Sequence, residues 1–199
     1  MTATTGVLIL LSSYLLGSVD FAVLVGRMHG VDIHQVGSGN PGTSNVMRTL
    51  GRGPAAMVFI GDTLKGVIAA AIGAFLSEQG PESPWTYAAG LMAVIGHCYP
   101  VFHRFRGGKG VATGGGVVLF AEPIAGLILT VIWVAVAKIG KVASIASLVV
   151  TVASIPILIW QGLTGWALVW FGVMLGLVIY RHRGNISRIM KRREQTVIS

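Results

Sequence analysis

The chain has 199 residues, of which 53% are hydrophobic and 11% charged, and its mean hydropathy is +0.75. Soluble domains carry about 25% charged residues, so the composition excludes an ordinary soluble domain and indicates one integral membrane domain over residues 1–199. A formal net charge of +8 would suggest a nucleic-acid partner in a soluble protein. Basic cytoplasmic loops explain it in a membrane protein, and we predict no nucleic acid.

Seven apolar segments predict an all-α integral membrane protein with seven transmembrane helices, since about 20 apolar residues cross a bilayer. We expect the first segment to stay as a span, because no basic residue precedes Arg27 and a signal peptide has a cationic start. The fourth and fifth segments are short and meet at Glu122 and Pro123, so a kinked pair that does not fully cross is the alternative. The predicted spans are residues 5–25, 54–76, 85–102, 111–120, 124–137, 142–160 and 163–180.

In this topology, nearly all the basic residues fall on the cytoplasmic side of the membrane, and the outside segments carry only acidic ones. Seven spans place the two ends on opposite sides, and a cytoplasmic C-terminus puts every Lys and Arg except Lys65 in cytoplasmic segments. The outside segments then hold Glu78, Glu82 and Glu122 and no basic residue. The positive-inside rule therefore predicts an outside N-terminus and a cytoplasmic C-terminus.

A glycine-rich loop over residues 37–45 is the first candidate site. Its Gly37, Gly39 and Gly42 formally match a dinucleotide fingerprint, but no βαβ unit surrounds them, which excludes that interpretation. We expect the next three residues to cap a short helix that carries Arg48. Small and polar residues throughout the loop favour an anion site over an ordinary interfacial loop. The capping candidates are Thr43, Ser44 and Asn45.

A second glycine-rich loop presents Lys109 between two apolar segments. Glycines let backbone N–H groups approach a phosphate closely, and those beside the lysine are Gly107, Gly108 and Gly110. The spacing does not match a nucleotide-binding P-loop, since glycine follows the lysine. We therefore interpret Lys109 as a phosphate ligand. Two nearby arginines are either substrate ligands or anchors for lipid headgroups; they are Arg104 and Arg106.

Two charged residues, Asp62 and Lys65, lie inside the second predicted span. Their spacing of three places them on one helical face, and charges at membrane depth are usually paired or functional. We interpret them as a structural ion pair, with direct catalysis as the alternative. The glycine triplet at residues 114–116 is interpreted as close helix packing, with a ligand role as the alternative.

Further polar residues fall near the predicted cytoplasmic ends of the last two spans. His182 and Asn185 share a face if the last helix continues, and Ser144 and Ser147 follow a basic turn. His97, alone in an apolar span, is more typical of a buried histidine whose hydrogen bonds are satisfied. No carboxylate cluster or Cys/His spacing suggests a metal, and we predict neither a metal nor a cofactor.

These segments gather cationic and phosphate-binding residue types on one membrane face, which predicts a phosphorylated, lipid-related ligand. A transporter for a small phosphorylated solute is the alternative, and a lipid-binding scaffold is another. A transporter should show related halves and a polar site near the midplane, whereas polarity here gathers at one face. A scaffold would not need glycine-rich anion loops.

At these motifs the chain resembles the bacterial acyl-phosphate:glycerol-3-phosphate acyltransferase family over nearly its whole length. The resemblance implies seven spans in a bacterial plasma membrane, an outside N-terminus and an active site on the cytoplasmic face; it leaves the oligomeric state open. The segments that carry it are residues 16–18, 37–45, 62–66, 96–113, 141–147 and 181–186.

The resemblance also implies a reaction: transfer of a fatty acyl group from acyl phosphate to the 1-hydroxyl of glycerol 3-phosphate. The products would be lysophosphatidate and phosphate, in the first step of phospholipid biosynthesis. The implied catalytic residues are Lys109, Asn185 and His182. The implied phosphate-binding residues are Ser38, Gly39, Asn40, Gly42, Thr43, Ser44, Asn45, Arg48, Gly107, Gly108, Gly110 and Ser147.

Two positions depart from the family pattern. Asp20 stands where an uncharged residue is usual, and we expect it to pair with Lys65 or a loop arginine. Ser44 stands where threonine is commoner and would supply the same hydroxyl. The chain lacks the His-x4-Asp motif of the other common acyltransferase class. We therefore expect the leaving phosphate to take the hydroxyl proton, with Asn185 or His182 orienting the acceptor.

Overall fold

The computed structural model describes residues 1–196, and its regular structure is helical, with no strand in that range. The prediction of an all-α protein is confirmed. A short 3₁₀ turn at Val101–His103 follows the fifth helix. The α-helices are α1 (Ala3–Gly17), α2 (Phe21–Met28), α3 (Thr43–Leu50), α4 (Arg52–Leu76), α5 (Pro84–Cys98), α6 (Val111–Ala121), α7 (Pro123–Gly140), α8 (Ala143–Trp160), α9 (Gly165–Arg181) and α10 (Arg183–Met190).

Within residues 1–196, four helical stretches are long and apolar enough to cross a membrane: α1 with α2, then α4, α7 and α8. The bent pair of α9 and α10, which meet at 52°, would make a fifth. With 15 and 11 residues, α5 and α6 are shorter than a bilayer needs on their own. The chain is thus a multi-pass membrane protein, while the seven crossings and the orientation of its ends stay predictions.

The first predicted span, residues 5–25, is divided into two helices. Asp20 begins α2 by accepting a hydrogen bond from the backbone N–H of Val23 at 3.1 Å. The break frees the carbonyl of Val19, which accepts from Lys65 Nζ at 2.8 Å. The expected pairing of Asp20 with Lys65 or a loop arginine is therefore wrong: no ion pair within residues 1–196 includes Asp20, because the carboxylate caps a helix and the lysine takes the neighbouring carbonyl.

Helix α4 lies at the centre of the fold, against α1, α5 and α6. Two glycines bring the backbones of α4 and α6 into contact: a Cβ at Gly66 would meet the carbonyl of Thr113, and one at Gly116 would meet that of Thr63. Small residues permit this approach in membrane helices. Close packing is therefore the role of Gly116 in the triplet.

The main apolar core lies where α5, α6 and α9 meet. Tyr87 is fully buried and packs edge-on against Phe171, with 6.0 Å between the ring centroids. On the outside, many large apolar side chains are exposed, as expected of a surface that faces lipid. A cavity lies beside this core, and Phe171 belongs to both.

Candidate active site

A cavity of about 890 Å³ runs between α3, α4, the Lys109 loop and the helices from α6 to α10. Its polar lining includes Lys109, Ser144 and Arg181, which come from a loop and from helix ends. Its apolar lining lies further along the same helices: Val150 is six residues beyond Ser144, a rise of about 9 Å. The apolar lining residues include Val118, Leu127, Leu129, Val150, Phe171, Met174 and Leu175. The cavity therefore has a cationic end and an apolar end.

The glycine-rich loop is closed by Asn45 rather than by a capping hydroxyl. The N-cap of α3 is Gly42, and no side chain caps this helix, so the predicted capping role of Thr43, Ser44 and Asn45 is wrong. Asn45 Oδ1 instead accepts from the Ser38 backbone N–H at 2.8 Å, and its Nδ2 donates to the Val36 carbonyl at 3.0 Å. Asn45 is buried and holds the loop in shape.

Arg48 projects from α3 beside this loop. Its Nη2 donates to Ser38 Oγ at 3.4 Å, and its buried Nε has no hydrogen-bond partner among residues 1–196. A buried guanidinium N–H without a partner is costly, and native structures usually satisfy such a donor. A bound anion would supply that partner.

Lys109 lines the cavity and takes part in none of the ion pairs found within residues 1–196. Burial is the largest cause that lowers its pKa, to about 8; Glu194 opposes that shift, and three nearby arginines add to it. The arginines are Arg48, Arg181 and Arg188. At neutral pH the lysine therefore stays protonated and offers an unpaired positive charge to the cavity.

The glycine-rich loop that presents Lys109 is held by Arg181, which also lines the cavity. Arg181 donates from Nη2 to the Gly107 carbonyl at 2.6 Å and from Nε to the Gly108 carbonyl at 3.0 Å. The N–H of Gly108 donates to the His97 carbonyl at 3.0 Å and is not free for a phosphate. Gly110 does line the cavity, and its φ of 86° at the start of α6 favours glycine.

His182 and Asn185 come from the junction of α9 and α10, and both line the cavity. His182 Nδ1 lies 2.8 Å from the Val178 carbonyl. Since a carbonyl only accepts, Nδ1 carries the proton and Nε2 is left for the cavity. Asn185 Nδ2 donates to Glu194, so both side chains have one polar atom fixed by the protein.

Two serines of α8 lie at the same end. Ser147 Oγ accepts from Trp133 Nε1 at 3.1 Å, and Ser144 Oγ donates to Glu194 Oε1 at 3.0 Å. Both serines line the cavity. Ser147 thus connects α8 to α7, and Ser144 connects it to the segment after α10.

A second charged cluster is buried between α4 and α5, and two of its members, Asp62 and His97, also line the cavity. Lys65 Nζ lies 2.8 Å from Asp62 and 2.9 Å from His97 Nδ1, and it also donates to Val19. An ammonium has three donors, and all three are used. The Asp62 and Lys65 side chains are 3% and 1% exposed, so the ion pair is almost completely desolvated.

Most of the predicted site residues line the cavity, although Gly39, Gly107 and Gly108 do not. Arg104 and Arg106 are exposed and lie outside it, which favours lipid-headgroup anchors. The phosphate-binding and catalytic roles stay predictions. The predicted residues that line the cavity are Ser38, Asn40, Gly42, Thr43, Ser44, Asn45, Arg48, Lys109, Gly110, Ser147, His182 and Asn185.

Sequence reasoning missed Glu194, which enters the cavity from the segment after α10. One signal was available, because Glu194 is the only acidic residue after Glu122 and stands in a basic tail. It also missed the apolar end of the cavity, since apolar residues fill every span and no local pattern marks the ones that line it. Gly114 and Gly115 do line the cavity, and the alternative of a ligand role for them stays a prediction.

The sequence matches the glycerol-3-phosphate acyltransferase family over residues 7–192. It is 44% identical to a glycerol-3-phosphate acyltransferase of Rubrobacter xylanophilus over 194 residues, which cover 95% of this chain and 94% of that protein. It is 40% identical to a glycerol-3-phosphate acyltransferase of Pseudomonas aeruginosa over 189 residues, with coverages of 94% and 97%. These matches span nearly the whole of each chain.

The fold is similar to that of PlsY (YgiH), an integral membrane glycerol 3-phosphate acyltransferase solved in two forms. The glycerol 3-phosphate form superposes with a TM-score of 0.90 at 38% identity, covering 96% of this chain and 94% of that one. The lysophosphatidic acid form superposes with a TM-score of 0.88 at the same identity and coverage. Sequence and fold agree, and the chain therefore belongs to the glycerol-3-phosphate acyltransferase family.

Proposed function

We propose that this chain transfers a fatty acyl group from an acyl phosphate to the 1-hydroxyl of glycerol 3-phosphate, releasing 1-acylglycerol 3-phosphate and phosphate. One observation carries the proposal: a single cavity joins unpaired cationic groups to an apolar lining. Both substrates are anions and one brings a fatty chain, so the reaction needs both kinds of surface side by side. The forms in which the similar enzyme was solved support glycerol 3-phosphate as acceptor and a lysophosphatidate as product.

The cationic end would hold the two phosphate groups together. Arg48 and Lys109 have positive groups without an anionic partner among residues 1–196, and both line the cavity. Charge-assisted hydrogen bonds to phosphate are about twice as strong as neutral ones. We assign the phosphates to these two side chains, with the hydroxyls of Ser38 and Ser44 as further donors. Offsetting the repulsion between two anions is the main task of such a site.

The apolar end would hold the fatty chain. Phe171, Met174 and Leu175 of α9 and Val150 of α8 belong to its lining. Removing apolar surface from water contributes about 25 cal/mol per Å². The carbonyl group of the fatty acyl chain would then lie where the cationic and apolar ends of the cavity meet, next to the side chains that bind phosphate.

The chemistry needs little covalent help, because an acyl phosphate is an activated anhydride. The acceptor 1-oxygen attacks the carbonyl carbon, the bond from that carbon to the phosphate oxygen breaks, and the leaving phosphate takes the hydroxyl proton. Lys109 would stabilise the negative charge that develops on the carbonyl oxygen. Asn185 and His182 would orient the acceptor hydroxyl, since each has a polar atom left for the cavity.

The location of the site follows from charge. The basic segments at the cationic end of the cavity include Lys109 and the tail from Arg181 onwards. The positive-inside rule supports placing that end on the cytoplasmic face of the bacterial plasma membrane. This is also the side where soluble glycerol 3-phosphate would enter.

Phosphate release by the purified protein in lipid tests the proposal. Palmitoyl phosphate is supplied with and without glycerol 3-phosphate, and parallel samples contain palmitoyl-CoA. We expect release that requires glycerol 3-phosphate and yields lysophosphatidate, with no turnover of palmitoyl-CoA. Turnover of palmitoyl-CoA but not of palmitoyl phosphate would overturn the assignment of acyl phosphate as the donor. Binding of glycerol 3-phosphate without turnover of either donor would favour the transporter alternative.

A further inference from the structure

Glu194 stands in the segment that follows α10 and is the one carboxylate of the tail among six basic residues. Its side chain is 10% exposed although the residues on either side are exposed. The carboxylate points into the cationic end of the cavity, where the mechanism above leaves it without a role.

Three donors from two helices converge on this carboxylate. Oε1 accepts from Ser144 Oγ at 3.0 Å and from Asn185 Nδ2 at 2.5 Å. Oε2 accepts from Arg188 Nε at 2.7 Å. These contacts tie the first turn of α8 to α10, and hold two cavity-lining groups in fixed orientations.

The contact with Asn185 decides which way its amide faces. An ionised carboxylate only accepts, so the asparagine must turn its NH₂ towards Glu194 and its carbonyl oxygen away. Burial opposes ionisation of Glu194, but the hydrogen bonds from Arg188, Asn185 and Ser144 outweigh it and lower the pKa. The carboxylate is therefore ionised at neutral pH, and the amide has one favoured orientation.

We propose that Glu194 is a positioning residue that fixes the Asn185 amide, so that its carbonyl oxygen accepts a hydrogen bond from the 1-hydroxyl of glycerol 3-phosphate. The proposal rests on the function proposed above. A hydroxyl that donates to this oxygen keeps its lone pairs free to attack the acyl carbon. Inorganic phosphate has no such alcohol group, so the contact would select a glycerol phosphate over phosphate itself.

Binding measurements test the proposal without any acyl donor. Dissociation constants for glycerol 3-phosphate and for inorganic phosphate are measured by calorimetry on the full chain in lipid nanodiscs. Their ratio reports recognition of the glycerol part, because a change in the local charge affects both ligands. A lost hydrogen bond of about 1.4 kcal/mol corresponds to a tenfold change.

The variants are Glu194→Ala, Asn185→Ala and the double substitution, with the exposed Glu82→Ala as a matched control. We expect each single variant to reduce the preference for glycerol 3-phosphate about tenfold, and the double to reduce it no further. The control should keep the wild-type ratio. Reductions that multiply in the double variant, or an unchanged ratio in Glu194→Ala, would overturn the proposal.

Tighter binding of both ligands by the same factor in Glu194→Ala would also overturn it. That result would mean that the carboxylate only occupies an anion site. A rescue pair covers the case in which an alanine variant does not fold. Asn185→Asp places two carboxylates next to each other and should reduce the preference for glycerol 3-phosphate over phosphate. Adding Glu194→Gln should restore that preference, because the glutamine NH₂ can donate a hydrogen bond to the new aspartate.

The two proposals can fail separately. If the wild-type protein binds glycerol 3-phosphate but does not consume palmitoyl phosphate, the proposed donor is wrong, while the binding measurements on the variants still test the role of Glu194. If turnover is normal but the effects of the two single substitutions multiply in the double variant, the proposed reaction stands and the positioning role of Glu194 is wrong.

Discussion

The molecule contains two groups of buried or half-buried charges that differ in whether they satisfy each other. Between α4 and α5, Lys65 is bonded to Asp62, His97 and a backbone carbonyl, and no donor is left over. In the cavity, Arg48 and Lys109 have no carboxylate partner among the ion pairs of residues 1–196. Charges that satisfy each other hold helices together, whereas charges left unpaired in a cavity are available to a ligand.

The two groups of charges also differ in how deeply they are buried. The Asp62 and Lys65 side chains are almost completely buried, and removing one partner would leave the other as an uncompensated charge. Lys109 is only partly buried, so we expect the folded protein to tolerate its removal. Substitutions in the two groups should therefore separate stability from activity.

The largest effect should follow Lys65→Ala. Breaking a buried ion pair by removing one partner costs about 3–5 kcal/mol, and here the carbonyl at the break between α1 and α2 loses its donor as well. We expect a large fall in the midpoint of thermal unfolding in detergent. Replacing Asp62 and Lys65 together by leucine should recover part of the loss. An unchanged midpoint for the single variant would show that the cluster does not hold the fold.

Lys109→Ala should have the largest effect on activity. Removing a group that stabilises developing charge typically lowers kcat about 10²–10³-fold. The unfolding midpoint should not fall, because the lysine has no ion pair within residues 1–196 to lose. Acyl transfer and thermal unfolding are measured on the same preparation. Normal turnover would remove Lys109 from the site.

Arg48→Ala should raise KM for glycerol 3-phosphate more than it lowers kcat, by about 10–100-fold in kcat/KM. The reason is the loss of a charge-assisted contact of about 1.5–3 kcal/mol. Arg104→Ala is the matched control, because that arginine is exposed and lies outside the cavity. Steady-state kinetics on both variants check the expectation, and equal effects would contradict the assignment of Arg48.

The smallest effect should be a dependence on pH. Burial lowers the pKa of Lys109 to about 8, so kcat/KM should fall about tenfold per unit as the pH rises above that value. Stability should respond in the opposite sense. Between about pH 8 and the ordinary lysine value of 10.5, the folded protein binds fewer protons than the unfolded chain, so this lysine increases stability as the pH rises. A loss of activity that tracks unfolding would contradict this prediction.

Much of the candidate site was predictable because charged residues and runs of glycine are rare in a predominantly apolar chain. Lysine, arginine and runs of glycine are conspicuous in an apolar chain, and the positions around Arg48 and Lys109 do line one cavity. The details of the first loop were not predictable. The pattern suggested a capping role for Asn45, yet that residue reaches back to Ser38 and Val36, contacts that depend on how the loop folds.

The sequence by itself determined that the protein is an all-α membrane protein with glycine-rich basic loops. Hydropathy and the glycine-rich basic segments depend only on residues that are close together in the sequence. The tertiary structure decided which polar groups meet. Glu194 contacts Ser144 from 50 positions away, and Lys65 bonds a carbonyl 46 positions before it. Whether a charge is paired or left to a ligand depends on packing between distant helices, and no local pattern records that packing.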